Sequence, residues 1–184
     1  EATYDPDAIV AIKVRIAEIY EQTLQDAYAA IDAYRDVLTV DQAHAESLQA
    51  LERLYLQTEQ WNELLEVNEQ SLGLAHEPEV QVAIYGKMAA VHEEQFEDAD
   101  SAIDAYNNIL MVDPDNVSAI ENLERLYRSH ERWFDLVEAL SRHAEIAQVD
   151  AERVELLNEL ARVRRDQLDD LHGAIEAFVQ SVQI

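Results

Sequence analysis

The sequence predicts an all-α protein built as a right-handed superhelical solenoid of about five stacked helical hairpins. Three observations predict this fold: a composition of helix-forming residues, apolar residues at helical spacing, and an internal repeat. The chain has 184 residues, of which 48% are hydrophobic, with only three Gly and three Pro. Such a chain can bury a core, and its few turn-forming residues argue against an all-β fold.

Equivalent positions of the internal repeat are always separated by the same number of residues, the spacing between Tyr34 and Tyr106. Residues 30–34 and 102–106 both read Ala-Ile-Asp-Ala-Tyr, and residues 51–55 and 123–127 both read Leu-Glu-Arg-Leu-Tyr. A third copy begins at residue 174. Each repeat unit is long enough for two hairpins of two helices each. We therefore expect one repeat domain over 1–184, a piece of a longer protein, with hairpins at about 6–42, 43–76, 77–114, 115–148 and 149–184.

Helix boundaries are predicted by residues that recur at the same step. Asp26, Asp98 and Asp170 are placed to cap the second helix of the first, third and fifth hairpins, because an aspartate side chain accepts hydrogen bonds from the first free amides of a helix. Pro6 and Pro78 lie where a first helix begins, a position that tolerates proline.

The hairpins resemble the tetratricopeptide repeat (TPR). In the first hairpin the match is Ile16-Ala17 and Tyr20 in helix A, with Ala30 and Tyr34 in helix B. The corresponding matches in the other hairpins are Leu48, Leu51, Tyr55 and Trp61; Met88, Ala89, Ala102, Tyr106 and Pro114; Ile120, Leu123, Tyr127 and Trp133; and Leu160, Ala161, Ala174 and Phe178. The sequence departs from the family pattern at Glu52, Glu124, Leu64 and Leu136, and by one extra residue between the helices of the odd hairpins.

The composition restricts the partners of the protein. The formal net charge is −26, a field that repels nucleic acid and anionic membranes. There is no cysteine, the six histidines share no metal-ligand spacing, and the three glycines form no phosphate-binding loop. We therefore expect no nucleic-acid or membrane partner, no cofactor, no metal and no catalytic residue. Most of the histidines are expected in solvent.

The resemblance implies that the first helix of each hairpin lines the concave face, where a protein or peptide partner, an acidic one under the second interpretation below, would bind. By the family register the basic residues of this face are Arg53, Lys87, Arg125, Arg128, Arg162 and Arg165. Two interpretations stay open: the arginines pair with nearby carboxylates such as Glu121, Glu124 or Glu159, or they grip an acidic segment or a C-terminal carboxylate.

The predicted function is a non-catalytic scaffold that holds a peptide or helix of another protein. Two alternatives remain. The chain is a self-assembly module that forms a homo-oligomer through its terminal repeats, where Ile175 and Val182 lie at an open end. Otherwise it is the regulatory arm of a larger enzyme.

Overall fold

Helices with short turns between them make up residues 5–184, the part of the chain that the structure, a computed structural model, describes. This part holds ten α-helices and no strand. Consecutive helices pair into five hairpins, and one π-helical segment, Ile19–Leu24, continues the first helix. The α-helices are α1 (Pro6–Glu18), α2 (Ala27–Leu38), α3 (Ala45–Gln57), α4 (Trp61–Leu74), α5 (Pro78–Glu94), α6 (Ala99–Val112), α7 (Val117–Ser129), α8 (Trp133–Ile146), α9 (Asp150–Gln167) and α10 (Leu171–Ser181).

The predicted helix starts are confirmed. Asp26, Asp98 and Asp170 each accept a hydrogen bond from the backbone amide three residues further on, at 3.0, 3.1 and 2.9 Å. These bonds satisfy amides that have no partner inside the helix. Pro6 and Pro78 are the first residues of α1 and α5, where the missing N–H costs nothing.

Each hairpin turn contains one residue in the left-handed conformation, with φ between 53° and 57°. In the first hairpin, the amide of Asp26 reaches back to the carbonyl of Tyr20, six residues earlier, at 3.0 Å. In the second, the amide of Gln60 reaches the carbonyl of Tyr55, only five residues earlier, at 2.9 Å. The extra residue of the odd hairpins is therefore absorbed by a wider turn. The left-handed residues are Gln25, Glu59, Glu97, Glu131 and Asp169.

The described part of the chain forms two compact units that divide after Ile84, at residues 5–84 and 85–184. In the first unit, α1 packs on α2, and α3 packs against both α2 and α4. Ala17 and Ala30 are fully buried in the first hairpin, and small residues there let the two helices approach closely. Leu51 and Leu54 of α3 are each 1% exposed and form the centre of this core.

In the second unit, α7 packs against α6 and α8, and α9 packs against α8 and α10. Ile120, Leu136 and Leu140 are fully buried. Ala89 and Ala161, which correspond to Ala17 in the later copies of the repeat, are also fully buried. The small residue that the sequence places in each odd first helix is thus fully buried in every copy, whereas the bulky residue before it ranges from 45% exposed at Ile16 to 3% exposed at Leu160.

Candidate binding face on the first helices

The six basic residues predicted on the concave face are all exposed. Arg53 lies on α3 of the first unit, and the other five lie in the second unit. Four of those five are arginines on α7 and α9. This set, the arginine face, consists of Arg125, Arg128, Arg162 and Arg165.

Arg125 is bound by a carboxylate of the preceding hairpin. Its Nη1 and Nη2 atoms donate to the two carboxylate oxygens of Glu93 at 2.6 and 2.7 Å, and Nη2 also donates to Asn122 Oδ1 at 3.1 Å. The hydrogen bonds from Glu93 raise the pKa of Arg125 above its ordinary value. This bidentate pair aligns the planar guanidinium with α5.

The other three arginines of the face lie on α9 or contact it. Arg128 of α7 forms an ion pair with Glu159 of α9, so it links the two first helices. Arg165 donates to the adjacent Asp166 at 2.6 and 2.8 Å, and this hydrogen bonding raises the pKa of Arg165 and lowers that of Asp166. Among residues 5–184, Arg162 forms no ion pair or hydrogen bond, and its charge contributes to lowering the pKa of Asp166.

The arginine face is therefore mostly neutralised by carboxylates of the protein itself. The side chains of Arg125, Arg128 and Arg165 remain 49%, 43% and 49% exposed in their ion pairs. Ion pairs at such exposure contribute about 0–1 kcal/mol each. A carboxylate from another molecule can therefore replace the internal partner at small cost.

A buried pair of a glutamate and a histidine in the fourth hairpin escaped the sequence analysis. Glu124 of α7 and His143 of α8 are 8% and 5% exposed, and His143 Nδ1 lies 2.8 Å from Glu124 Oε1. Burial raises the pKa of Glu124, although the hydrogen bond with His143 opposes this shift. The other ring nitrogen of His143 has no hydrogen-bond partner and lies 3.9 Å from a carboxylate oxygen of Glu152. The one sequence signal was Glu124 itself, a carboxylate where the family pattern has a small residue.

Each unit has a cleft bordered by the second helices of two neighbouring hairpins. The two clefts lie at equivalent positions of the repeat. In the first unit the cleft has a volume of about 660 Å³ and is lined in part by Tyr55 and Val67. Burial raises the pKa of Tyr55. In the second unit it is smaller, about 290 Å³, and Arg132 lies 5.1 Å from the ring centre of Tyr127. The carboxylates that line the larger cleft are Asp32, Asp36, Glu63 and Glu66.

Neither a membrane-spanning helix nor a metal-binding group occurs among the described residues. None of the helices in residues 5–184 combines the length and the apolar character needed to span a bilayer. The same described stretch contains no group of three or more His, Cys, Asp or Glu residues arranged to hold a metal ion.

Solved structures share this fold. A crystal structure of MamA protein aligns with 96% of this chain and 92% of its own, at 18% identity and a TM-score of 0.52. YrrB, described as a TPR protein with an unusual peptide-binding site, aligns with 99% of this chain and 93% of its own, at 11% identity and a TM-score of 0.51. The sequence matches no established family profile and no curated protein. The protein has the tetratricopeptide-repeat fold, and the predicted fold class is confirmed.

Proposed function

We propose that the protein is a non-catalytic interaction scaffold that binds an extended peptide or a helix of a partner protein along the arginine face. The observation that carries this proposal is the grouping of four exposed arginines on the neighbouring first helices α7 and α9. A structure of the same fold, YrrB, is described as having a peptide-binding site, which supports a binding function for this class of fold.

The chemistry of the face favours carboxylates of the partner. A guanidinium group binds a carboxylate through two parallel hydrogen bonds, which fixes orientation as well as charge. Arg162 forms no ion pair with a described residue and is the first anchor for the ligand. Arg125 and Arg128 then exchange Glu93 and Glu159 for carboxylates of the ligand. Lys87 extends the face on α5, and Arg53 offers an equivalent contact in the first unit.

The net charge limits how acidic the ligand can be. At −26, the protein repels a long acidic segment at distances beyond direct contact. The ligand therefore carries a few carboxylates placed to meet the arginines, with apolar or neutral residues between them. A C-terminal carboxylate on such a segment would add one more acceptor.

The test uses a short fluorescein-labelled peptide of alternating Glu and Leu, and a Lys and Leu peptide of equal length. Fluorescence anisotropy measures the dissociation constant of each peptide. The quadruple variant replaces Arg125, Arg128, Arg162 and Arg165 with Glu. We expect wild type to bind the acidic peptide and the variant to bind it about a hundredfold more weakly, because four ion pairs of up to about 1 kcal/mol each are lost and like charges take their place.

A control variant of equal net charge separates contact from long-range repulsion. It replaces Lys13, Arg15, Arg35 and Arg142 with Glu, all of them outside the arginine face, and circular dichroism verifies that both variants fold. The control is expected to bind the acidic peptide within about threefold of wild type once salt screens distant charges. Equal loss in both variants, or wild-type preference for the basic peptide, would refute the proposal.

A further inference from the structure

The clefts of the two units differ in charge. The second-unit cleft is lined by two arginines, Arg132 and Arg142, and by two carboxylates, Asp135 and Glu138, so its charges balance. The first-unit cleft is lined by one arginine, Arg35, and by the four carboxylates of α2 and α4. The first-unit cleft therefore has an excess of negative charge, and the second-unit cleft has none.

This difference arises at two positions of the repeat. Gln60 stands where the second unit has Arg132, and Gln70 stands where it has Arg142. The first-unit cleft is also the larger, at about 660 Å³ against about 290 Å³. Two guanidinium groups that line and neutralise the second-unit cleft are thus replaced by neutral amides in the first unit.

The second-unit cleft shows how this site holds a guanidinium group. Arg132 Nε donates to Asp135 Oδ2 at 2.8 Å, and its Nη1 donates to Asp100 Oδ1 at 3.2 Å. The same guanidinium lies 5.1 Å from the ring centre of Tyr127, whose hydroxyl is hydrogen-bonded to Asn107. In this cleft a carboxylate and a tyrosine therefore bind a guanidinium that the chain itself supplies.

The first-unit cleft keeps the carboxylate and the tyrosine, as Glu63 and Tyr55. Tyr55 is only 4% exposed, and its hydroxyl has no hydrogen-bond partner among residues 5–184. The charged residues that shift the pKa of Tyr55 all line the cleft, so its hydroxyl faces the cleft; they are Arg35, Glu63, Glu66 and Asp32. A buried polar group that faces a cleft without a partner indicates that a ligand completes its hydrogen bonding.

Most of the carboxylates of the first-unit cleft have no counter-charge. Asp36 forms an ion pair with Lys13, whereas Arg35 is exposed and pairs with none of the four. Glu63 is half-buried, and a carboxylate that has left water without a partner gains from a cation placed beside it. The carboxylates that form no ion pair with a described residue are Asp32, Glu63 and Glu66.

We propose that the first-unit cleft binds an arginine side chain of a partner protein, with the guanidinium between Glu63 and the hydroxyl of Tyr55. A guanidinium group offers only donors, and the carboxylate and the phenol oxygen both accept. The stem of the arginine lies along Leu38 and Val67, because its methylene groups pack on apolar surface. A volume of about 660 Å³ also has room for the residues beside the arginine in a peptide. Free arginine fits less well, since the acidic cleft repels its α-carboxylate.

Isothermal titration calorimetry of the 184-residue chain with short capped peptides tests this proposal. The probe has one arginine between two leucines, and two control peptides carry citrulline or lysine in its place. The arginine peptide should bind at least about tenfold more tightly than either control, because citrulline has no charge and lysine lacks the planar set of donors. A control peptide that binds as tightly would overturn the proposal. Free arginine binding as tightly as the arginine peptide would overturn a partner protein as the ligand.

A matched pair of variants on α4 locates the bound arginine. Glu63→Gln removes the carboxylate that corresponds to Asp135 and should weaken binding of the arginine peptide about tenfold, the effect of losing one hydrogen bond between charged groups. Glu69→Gln makes the same charge change at an exposed position of α4 outside the cleft and should bind the peptide like wild type. Equal binding by the two variants would contradict the proposed position.

A second pair fills the cleft from within the chain. Gln60→Arg recreates the arginine of the second-unit cleft, so its guanidinium should occupy the site and weaken peptide binding about tenfold or more. Gln57→Arg adds the same charge at an exposed position of α3 outside the cleft and should change binding by less than about threefold. Equal losses in both variants would show repulsion at a distance and overturn the proposal. The cleft and the arginine face lie in different units, so failure at one leaves the proposal for the other standing.

Discussion

The buried pair of Glu124 and His143 provides the sharpest test of the energetics of this fold. Replacing His143 with Leu places an apolar side chain of similar size in the core of the fourth hairpin. It also removes the hydrogen bond of 2.8 Å and leaves a carboxylate that is only 8% exposed. We expect His143→Leu to lower the free energy of unfolding, because a buried charge without a partner is costly.

The magnitude follows from the contacts of each partner. Removing one member of a buried pair costs about 3–5 kcal/mol, and His143→Leu falls at the lower end because Glu124 can protonate. Glu124→Leu should cost less, about 1–2 kcal/mol, since His143 can turn to the carboxylate of Glu152, 3.9 Å away. The double variant replaces both polar groups with apolar ones and should lie within about 1 kcal/mol of wild type.

Burial raises the pKa of Glu124, so the effect depends on pH. A carboxyl group with a raised pKa binds its proton more tightly in the folded state than in the unfolded state. Its contribution to stability is therefore present below its ordinary value of 4.5 and is lost as pH rises through the folded pKa. Since His143→Leu also removes the hydrogen bond that opposes this shift, its penalty should be small in acid and largest near neutral pH.

The assay is urea unfolding followed by far-ultraviolet circular dichroism for wild type, both single variants and the double variant. The free energy of unfolding must fall with urea concentration at the same slope in all four proteins, because repeat proteins can unfold in more than one step. The coupling free energy of the cycle should be at least about 2 kcal/mol near neutral pH. Additive effects within about 0.5 kcal/mol, or a His143→Leu variant as stable as wild type, would refute this account of the pair.

Three more predictions follow from local geometry. Glu59→Gly and Glu131→Gly should each raise the free energy of unfolding by about 1 kcal/mol, because glycine adopts φ near 57° without the clash of a Cβ atom, whereas Ala at these positions should give no such gain. Asn116→Ala should lower it by about 1 kcal/mol in chemical denaturation, because Asn116 Oδ1 caps α7 at 3.0 Å, and Asn116→Ser should retain the cap without placing a second carboxylate beside Asp113. Burial and the hydrogen bond to Glu21 raise the pKa of Tyr34 to about 12. In a spectrophotometric titration, Tyr34→Phe should therefore remove the last of the described tyrosines to ionise. The contribution of Tyr34 to stability is lost as pH rises from 10.0 towards that value.

The local features of this fold were accessible from sequence because they depend on neighbouring residues. The N-caps at Asp26 and Asp98 and the first-turn proline at Pro78 act over a few residues, and all were predicted and found. The extra residue of the odd hairpins was also counted from sequence. Its accommodation by a wider turn, and by a π-helical segment in the first hairpin, depends on how the two helices pack.

The candidate site was predicted only in part. Sequence placed Arg125 and Arg128 on first helices and left open whether they pair with carboxylates of the chain. The structure pairs Arg128 with Glu159, one of the candidates, but it pairs Arg125 with Glu93, which lies 32 residues earlier. A partner in the neighbouring hairpin cannot be found from helical spacing within one helix. Whether the arginine face binds a partner stays a prediction.

The sequence by itself determined the repeat, the helices and the order in which they pair, because a tandem repeat with an amphipathic pattern leaves one arrangement in which the apolar sides are covered. Only the tertiary structure decided which charges meet. It joined Arg53 to Glu21 and buried Glu124 against His143, both contacts across helices. Side chains remote in sequence approach to hydrogen-bond distance only after the backbone has packed, so their pairing depends on ångström-scale geometry that residue spacing does not specify.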